Sequence, residues 1–511
     1  MFKVRALAVG LVVLLAAEAL GQSRPATKDA PLDGFEKLCV TQHELKLGDG
    51  AIRYRAAAGL MQMKDEAGKL KATVFFVAYE KDRGADGATD RAADPTQRPI
   101  MFVFNGGPGA ASVWLHLGTA GPRRVALSDD GSPSAPPYRL TDNAATWLTA
   151  SDLVFVDPVG TGYSRPAAGE AREQFHGVQE DIRWVGEFIR LFLTRHQRWA
   201  SPKFLAGESY GATRVAGLAA HLLDRHGIAL NGVVLISGAL EFATLSPSPA
   251  NDLPYALFVP SYAAVAFHHR KLADDLQKDL AATLKEAQDW AMGDYLVALA
   301  RGASLPADQR QKTIHGLCRF TSLRADYLDK ANLRIGPSDF EKQLLAASRQ
   351  IVGRFDGRIV GPDPQPTASW PSYDPSLSGY LPVYGSSFND YVRRTLGFES
   401  DLPYEVLTSR VHPWNFGQEG MAGLSMSGEL CTAMAKNPHM KVLFANGWFD
   451  LATPWLGARY TTDHMDLAPA LRANLSHAFY PAGHMMYHEP KALQKLGDDV
   501  RAFVAAAKGK P

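Results

Sequence analysis

Cysteine is scarce in this sequence. The 511 residues include three cysteines, Cys39, Cys318 and Cys431, and no two of them have the Cys-x-x-Cys spacing of zinc sites or dithiol redox centres. The odd number leaves at least one thiol without a partner inside the chain. The pattern indicates no metal site, and we expect the protein to need neither a metal nor another cofactor.

A surplus of charge of either sign is also missing. Lys and Arg number 54 against 53 Asp and Glu, which gives a net charge of +1. Without a basic patch, nucleic acid is not expected as a partner. Hydrophobic residues at 46% and charged residues at 21% are typical of a globular protein. No internal repeat is visible, and the length fits one α/β core with insertions.

The N-terminus has the pattern of an export signal. Lys3 and Arg5 precede an uncharged apolar run at 6–17, and small residues follow up to Gly21. The run is short for a membrane span, so we predict a signal peptide over 1–21, cleaved after Gly21. An uncleaved anchor is the alternative. We expect a flexible leader at 22–33 and a periplasmic or secreted protein without stable membrane association after cleavage.

Short apolar runs alternate with helical periodicity over much of the chain. "VTQHELKL" and "AIRYRAAA" flank a "GDG" turn and predict an antiparallel hairpin, followed by the strand "ATVFFVAYE". Five further runs are typical of strands buried on both faces: "PIMFVF", "DLVFVD", "KFLAG", "GVVLIS" and "KVLFANG". Amphipathic helices are predicted between them, at 178–196 and 212–226. This alternation predicts an α/β protein with a mostly parallel central sheet.

Residues 244–400 interrupt the alternation. They contain leucines at helical spacing, a candidate capping box "SDFE" at 338–341, and a Pro-rich stretch at 361–382 that predicts an extended loop. We interpret 244–400 as a largely helical cap insertion over one end of the sheet. The core is then formed by two parts, 34–243 and 401–506.

The segment "LAGESYGATR" carries the strongest chemical signal. Gly207-Glu208-Ser209-Tyr210-Gly211 fits G-x-S-x-G, with an apolar strand before it and an amphipathic helix after it. This is the context in which a serine occupies a sharp strand-to-helix turn as a nucleophile. A structural serine in an ordinary turn is the alternative.

A nucleophilic serine needs a base and an orienting carboxylate, which follow it in that fold as Asp or Glu and then His. Asp450 comes directly after the late strand "VLFANG", and His484 lies in a glycine-flanked loop after a further strand-like run. We therefore predict the triad Ser209, Asp450 and His484. The weaker candidates are His477, His488, Asp463 and Asp466.

A glycine-rich loop, "FNGGPGAAS" at 104–112, follows the strand "PIMFV". No Gly-Lys-Ser/Thr follows the loop, so it does not match a phosphate-binding P-loop. A serine hydrolase of this kind needs an oxyanion donor from a loop in this position. An ordinary glycine turn is the alternative.

Five motifs in order make the chain similar to a known family. "NGGPGAAS", "VDPVGTGYS", "GESYG", "NGWFDLATP" and "AGHMM" resemble the serine carboxypeptidase family, over roughly residues 40 to 505. The resemblance implies an α/β-hydrolase fold with a helical insertion that shapes the cleft. It also implies removal of single residues from peptide C-termini, with peptides carrying a free terminal carboxylate as substrates.

The resemblance assigns further residues. Glu208 and Asn105 would hydrogen-bond the substrate's terminal carboxylate, with the N–H of Gly106 assisting. The N–H groups of Gly107 and Tyr210 would form the oxyanion hole. Two carboxyl groups can bind each other only when one carries a proton, so an acidic optimum is expected.

The chain also departs from the family. Ala110 and Ala111 stand where cysteine and serine are usual, so that family disulfide is absent, and "MMYHEP" follows His484 where many members have valine and proline. These differences suggest a bacterial-type branch and leave substrate preference open. An esterase or acyltransferase on the same scaffold, or a non-catalytic exported binding protein, are the competing interpretations.

Overall fold

The computed structural model describes residues 37–48, 50–82, 97–249 and 251–509. The predicted signal peptide and leader lie outside the described residues. The strands are β1 Leu38–Leu47, β2 Gly50–Lys64, β3 Leu70–Lys81, β4 Ile100–Phe104, β5 Arg123–Val125, β6 Leu140–Asp142, β7 Asp152–Val156, β8 Arg165–Pro166, β9 Lys203–Glu208, β10 Gly232–Ile236, β11 Gln350–Val352, β12 Val360–Pro362, β13 Lys441–Gly447 and β14 Leu475–Tyr480.

The helices follow the same chain order. They are α1 Val113–Leu115, α2 Val178–Arg195, α3 Tyr210–His226, α4 Leu253–His268, α5 Leu280–Trp290, α6 Leu296–Arg301, α7 Ala307–Thr321, α8 Ala325–Lys330, α9 Pro337–Gln343, α10 Pro375–Arg394, α11 Gly420–Gly423, α12 Ser427–Lys436, α13 Trp455–His464, α14 Pro469–Arg472 and α15 Pro490–Ala507. A π-helical turn, His116–Ala120, continues α1.

One large mixed sheet organises the chain, with strand order β1-β2-β3-β7-β4-β9-β10-β13-β14 and β8 beside β3. Strands β1 to β3 and the β3–β7 pair are antiparallel. From β7 to β14 every neighbouring pair is parallel. The prediction of a mostly parallel sheet with an N-terminal antiparallel hairpin is confirmed.

The central parallel strands are apolar on both sides because helices cover both faces. On one face, Ile100 and Phe102 of β4 share a core with α2, α3 and α12. On the other face, Met101 and Val103 of the same strand share a core with α10 and α15. The period of two along β4 therefore divides its side chains between two separate cores.

The segment between β10 and β13 is largely helical and has a third core of its own, formed mainly by α4, α5 and α7. Helices α10 and α12 differ from the rest: α10 packs into the core that contains Met101 and Val103, and α12 into the core that contains Ile100 and Phe102. The division into core and cap at residues 244 and 400 stays a prediction.

Two local predictions in this segment are wrong. The capping box is displaced by two residues: α9 starts after Gly336, whose N–H donates to Asp339 Oδ2 at 2.9 Å. The predicted loop at 361–382 ends early, because Asp374 caps α10 by accepting from the N–H of Ser376. Proline in the first helical turn, directly after an Asp cap, favours a helix start rather than a loop.

Two further observations concern the molecule as a whole. Within the described ranges, none of the helices has the length and apolar character needed to cross a bilayer. Cys39, Cys318 and Cys431 are unpaired thiols, each partly buried.

Candidate active site

Ser209 occupies a strained turn between β9 and α3. Its backbone angles are φ 60° and ψ −126°, which L-residues other than glycine rarely adopt. The turn is tight: a Cβ on Gly207 would lie 2.2 Å from the carbonyl oxygen of Gly211. The N–H of Ser209 donates to Ile236 O at 2.9 Å, which fixes the turn to the end of β10. The partly exposed Ser209 is thereby held at the sheet edge.

The other predicted residues reach the same edge because each follows a parallel strand. Asn105 comes directly after β4, Asp450 three residues after β13, and His484 four residues after β14. The carboxyl ends of parallel strands lie along one edge of a sheet, where α/β proteins bind their ligands.

Asp450 and His484 form a buried pair. His484 Nδ1 donates to Asp450 Oδ2 at 2.7 Å, and both side chains are almost fully buried. Asp450 Oδ1 also accepts the N–H groups of Ala452 and Thr453, at 2.7 and 2.9 Å. With its oxygens occupied in this way, the carboxylate holds the imidazole in one orientation.

Residues outside the predicted set support this pair. The Thr453 hydroxyl lies 2.7 Å from Asp450 Oδ2. His484 is fixed through its backbone, since its N–H donates to Phe355 O at 2.6 Å and its carbonyl accepts from Ser237 Oγ at 2.8 Å. The Phe355 ring also packs against the imidazole, with centroids 4.9 Å apart. A residue of the segment between β10 and β13 therefore helps to position the histidine.

The remaining imidazole nitrogen is available for chemistry. His484 Nε2 is buried and has no hydrogen-bond partner within the described part of the chain. Burial lowers the pKa of His484, but the nearby Asp450 carboxylate and Glu208 outweigh it, so the pKa is raised above its ordinary value. The arrangement leaves a basic nitrogen free to accept a proton.

Asn105 and Glu208 form a second buried pair. Asn105 Nδ2 donates to Glu208 Oε1 at 3.0 Å, and Asn105 Oδ1 accepts the N–H of Leu115 at 2.9 Å. The amide orientation is therefore determined by the start of the helix that follows the glycine-rich loop. Glu208 precedes Ser209 directly, so this pair lies beside the serine.

Glu208 has an unusual acidity. Burial raises its pKa to about 7, although His484, Tyr487 and Asn105 each act to lower the value. Glu208 Oε2 has no hydrogen-bond partner among the described residues. Near neutral pH the side chain therefore changes from a proton donor to a buried anion.

A buried ion pair between Arg214 and Asp181 contacts the backbone of the loop that carries Asn105. Arg214 Nε donates to Asp181 Oδ2 at 2.7 Å, and Arg214 Nη1 donates to the carbonyl oxygen of Asn105 at 2.7 Å. Both charged side chains are buried. Arg214 lies on the inner face of α3, the helix that begins at the turn, so one helix holds both the serine and the Asn105 backbone.

The two backbone amides assigned to the oxyanion hole come from two segments that touch, the glycine-rich loop and the turn that begins α3. Helix α3 begins at Tyr210, so the Tyr210 N–H belongs to the first turn and has no acceptor inside the helix. The glycine-rich loop touches this amide, because a Cβ on Gly106 would lie 2.5 Å from Tyr210 N. Gly107 follows directly in the same loop, with a positive φ of 103°.

The weaker candidates are occupied elsewhere. His477 lies inside β14, and its Nε2 is 3.1 Å from Thr462 Oγ1. His488 Nε2 lies 2.9 Å from the Tyr384 hydroxyl. Asp463 pairs with Arg459 on the surface, and Asp466 is exposed just beyond α13. None of the four contacts Ser209 or Asp450 in the described structure.

Sequence reasoning missed three supporting residues, Thr453, Arg214 and Tyr487. Thr453 had a local signal, because a threonine three residues after an aspartate can close a turn on its carboxylate. Arg214 and Tyr487 contact residues that are distant in the sequence, and no pattern in the sequence indicates those contacts. Among the described residues, no group of three His, Cys, Asp or Glu side chains is placed to hold a metal ion.

A mostly parallel sheet with a serine on a strained strand-to-helix turn defines an α/β-hydrolase. A family model described as serine carboxypeptidase matches residues 48–491. That match covers most of the chain, which therefore belongs to the serine carboxypeptidase family.

Individual relatives align over shorter segments. The pheromone-processing carboxypeptidase KEX1 of Yarrowia lipolytica is 31% identical over 169 residues, 32% of this chain and 25% of that protein. Serine carboxypeptidase-like 2 of Arabidopsis thaliana is 26% identical over 241 residues, 46% of this chain and 48% of that protein. The chain thus covers between a quarter and a half of these two relatives.

Among solved structures, the crystal structure of VinJ is similar at 12% identity and a TM-score of 0.39, covering 88% of this chain and 98% of that one. A TM-score of that size adds nothing to the fold described above.

Proposed function

We propose that the protein is an exported serine carboxypeptidase that releases single residues from peptide C-termini. The observation that carries this proposal is the buried Asn105–Glu208 pair beside Ser209, joined by a hydrogen bond of 3.0 Å. A carboxyl group with a pKa of about 7 can donate a proton to a substrate carboxylate below neutral pH. A hydrolase acting on esters without a carboxylate has no need of this pair.

The proposed reaction uses Ser209 as nucleophile. His484 Nε2 accepts the hydroxyl proton as Ser209 Oγ attacks the carbonyl carbon of the last peptide bond. The same proton then passes to the leaving amine, which departs as the free C-terminal amino acid and leaves an acyl-enzyme. Water attacks the ester in the same way, and His484 returns a proton to Ser209. Asp450 keeps Nδ1 protonated throughout by its 2.7 Å hydrogen bond.

The developing negative charge needs donors that are already in place. In this proposal the N–H groups of Gly107 and Tyr210 bind the oxyanion, assisted by the N-terminal end of α3. Asn105 and Glu208, with the N–H of Gly106, bind the terminal carboxylate. Because the carboxylate-binding residues hold the end of the peptide at a fixed distance from Ser209, the last peptide bond is the one that is cleaved.

The proposed pH dependence follows from two opposing groups. His484 must be neutral to act as base, and its raised pKa opposes activity in acid. Glu208 must be protonated to bind a carboxylate, and its pKa is about 7. Protonating Glu208 removes one of the charges that raise the pKa of His484, so carboxylate binding and base function become compatible on the acid side of neutrality.

We also propose the cap and export assignments. Phe355, from the segment 244–400, accepts the His484 N–H at 2.6 Å, which supports a cap that borders the cleft. The signal sequence over 1–21 supports passage to the periplasm or the exterior, with peptides as the partners met there.

Mass spectrometry of a digest tests the activity directly. A peptide with a free C-terminus, incubated at pH 5.5, should lose residues one at a time from that end, and Ser209→Ala should leave it intact. Cleavage inside the peptide, or turnover of simple esters with none of the peptide, would instead favour an esterase or acyltransferase.

A further inference from the structure

Tyr487 is a buried residue whose hydroxyl has no partner. It lies three residues after His484, in the turn Met486–His488, and is 2% exposed. Its hydroxyl oxygen makes no hydrogen bond within the described ranges. The ring has a defined position, because it packs on Gly118, where a Cβ would lie 2.4 Å from Tyr487 Cε2. The hydroxyl is thus held in place without being used by the fold.

The hydroxyl lies beside the carboxylate-binding pair. It is near enough to Glu208 to lower the pKa of that carboxyl group, and near enough to Asn105 for the amide to affect the pKa of the phenol. Glu208 Oε2 also lacks a partner. Two adjacent buried oxygens without hydrogen bonds are costly in a protein interior, which is typical of a site that a ligand completes.

Other groups that face Glu208 are already engaged. The titratable side chains near it are His484, Asp450, Tyr384 and Tyr487. His484 and Asp450 are paired with each other at 2.7 Å, and the Tyr384 hydroxyl is hydrogen-bonded at 2.9 Å to a histidine of the same turn as Tyr487. Tyr487 thus faces Glu208 and Asn105 with a hydroxyl that no hydrogen bond ties to the rest of the described fold.

We propose that Tyr487 is a further substrate-binding residue, whose hydroxyl donates to one oxygen of the peptide's terminal carboxylate while protonated Glu208 donates to the other. Asn105 holds Glu208 in position through its bond to Oε1. This inference rests on the proposed carboxypeptidase function and adds a donor to it.

The same hydroxyl has a second acceptor when Glu208 ionises. An anionic Glu208 accepts the Tyr487 hydrogen, because a buried carboxylate gains more from a donor than a neutral group does. Ionisation of Glu208 therefore withdraws the Glu208 and Tyr487 donors from the substrate together and leaves Asn105 and the Gly106 N–H. Without the hydroxyl, Glu208 should ionise at higher pH, since one stabilising contact to its anion is gone.

Tyr487→Phe tests the proposal, because it removes the hydroxyl and keeps the ring on Gly118. The control is Tyr380→Phe, whose buried hydroxyl donates to a backbone carbonyl at 2.8 Å away from Glu208. For each protein, KM and kcat are measured from pH 5 to 8 with one peptide and with its C-terminal amide. Melting temperatures establish that both variants fold.

At pH 5, the Tyr487→Phe variant should show a KM for the free-acid peptide raised by roughly 10-fold, the effect of losing one hydrogen bond to a charged group. Its kcat should stay within about two-fold, and the further rise of KM with pH should move to higher pH. The amide and the Tyr380→Phe control should be unaffected. A KM equal to that of the control, with an unshifted pH profile, would overturn the proposal.

A second variant tests the position of the Tyr487 hydroxyl, and its melting temperature is measured as for the others. Gly118→Ala places a methyl group against the Tyr487 ring and displaces the hydroxyl without removing it, so it should raise KM for the free acid but not for the amide. Equal losses on both substrates would contradict the proposed role. If the wild-type protein itself treats acid and amide alike, the proposed function fails as well. A wild-type preference for the acid combined with an unaffected Tyr487→Phe variant rejects only this inference.

Discussion

Replacing Glu208 with glutamine should separate the proposed carboxylate recognition from the proposed triad chemistry. Glutamine has nearly the same shape and offers an N–H donor at every pH, whereas Glu208 donates only when protonated. Its Oε1 position can still accept from Asn105, which lies 3.0 Å away in the native protein. The substitution should therefore keep peptide binding in acid and remove its loss toward neutral and alkaline pH.

The size of the effect follows from the pKa of Glu208, which is about 7. The protonated fraction falls from about 99% at pH 5 to about 9% at pH 8, so wild-type KM for a peptide should rise about tenfold over that range. In Glu208→Gln the same rise should be less than about twofold. His484 acts mainly on kcat, which should fall with decreasing pH in both proteins because the imidazole must be neutral.

The assay is a set of initial-rate curves for one peptide at half-unit steps from pH 5 to 8, with both proteins. A parallel set with a simple ester controls for changes in the triad, since the ester has no terminal carboxylate. A KM that rises with pH equally in the variant and in the wild type would refute the role of Glu208. It would also shift the preferred function to an esterase.

Three further outcomes are expected. Ser209→Ala or His484→Ala should lower the rate of peptide hydrolysis by on the order of 10⁴-fold or more with an unchanged circular dichroism spectrum. His488→Ala should retain most activity. If His488→Ala inactivates the protein and His484→Ala does not, the general base is His488. Arg214→Met should lower the free energy of unfolding by about 3–5 kcal/mol in denaturant titrations, because it leaves a buried carboxylate unpaired; a loss below about 1 kcal/mol would contradict this. Burial raises the pKa of Glu341 to about 8, so the buried side chain stabilises the fold while it is protonated, and this stability is lost as pH rises through that value. The free energy of unfolding of Glu341→Gln, whose side chain stays neutral, should therefore rise by on the order of 3 kcal/mol relative to wild type between pH 5 and pH 9. Stability curves that run parallel over this range would contradict the prediction.

The sequence was sufficient for much of the fold because the parallel strands are short apolar runs that end in distinctive residues. Each of Asn105, Asp450 and His484 follows such a run, and parallel strand ends share one edge of a sheet. The hydrogen bond between Asp450 and His484 could therefore be expected from two strand ends and the order of the motifs.

The supporting contacts could not be predicted from the sequence because their partners are far apart in the chain. Arg214 contacts Asp181 and Asn105 across separations of 33 and 109 residues. A helical pattern indicates which face is buried, but not which buried carboxylate an arginine meets. The turn after His484 is similar: "MMYHEP" was visible as a departure, yet only packing on Gly118 places the Tyr487 hydroxyl beside Glu208.

Helix boundaries near prolines were also misjudged. The stretch 361–382 is Pro-rich, and proline was taken to exclude a helix over its whole length. Proline is compatible with the first turn of a helix, where its missing N–H has no intrahelical partner. The cap by Asp374, which accepts from Ser376 N at 2.9 Å, then decides where α10 begins.

The most direct test of the central claim compares one peptide with its own C-terminal amide at pH 5.5, in the wild-type protein. Recognition of a terminal carboxylate by Asn105 and protonated Glu208 predicts a kcat/KM at least 100-fold higher for the free acid, on the order expected for loss of two hydrogen bonds to a charged group. Most of that difference should appear in KM. Equal kcat/KM values for the acid and the amide would contradict the account, because the buried pair beside Ser209 would then have no part in choosing the substrate.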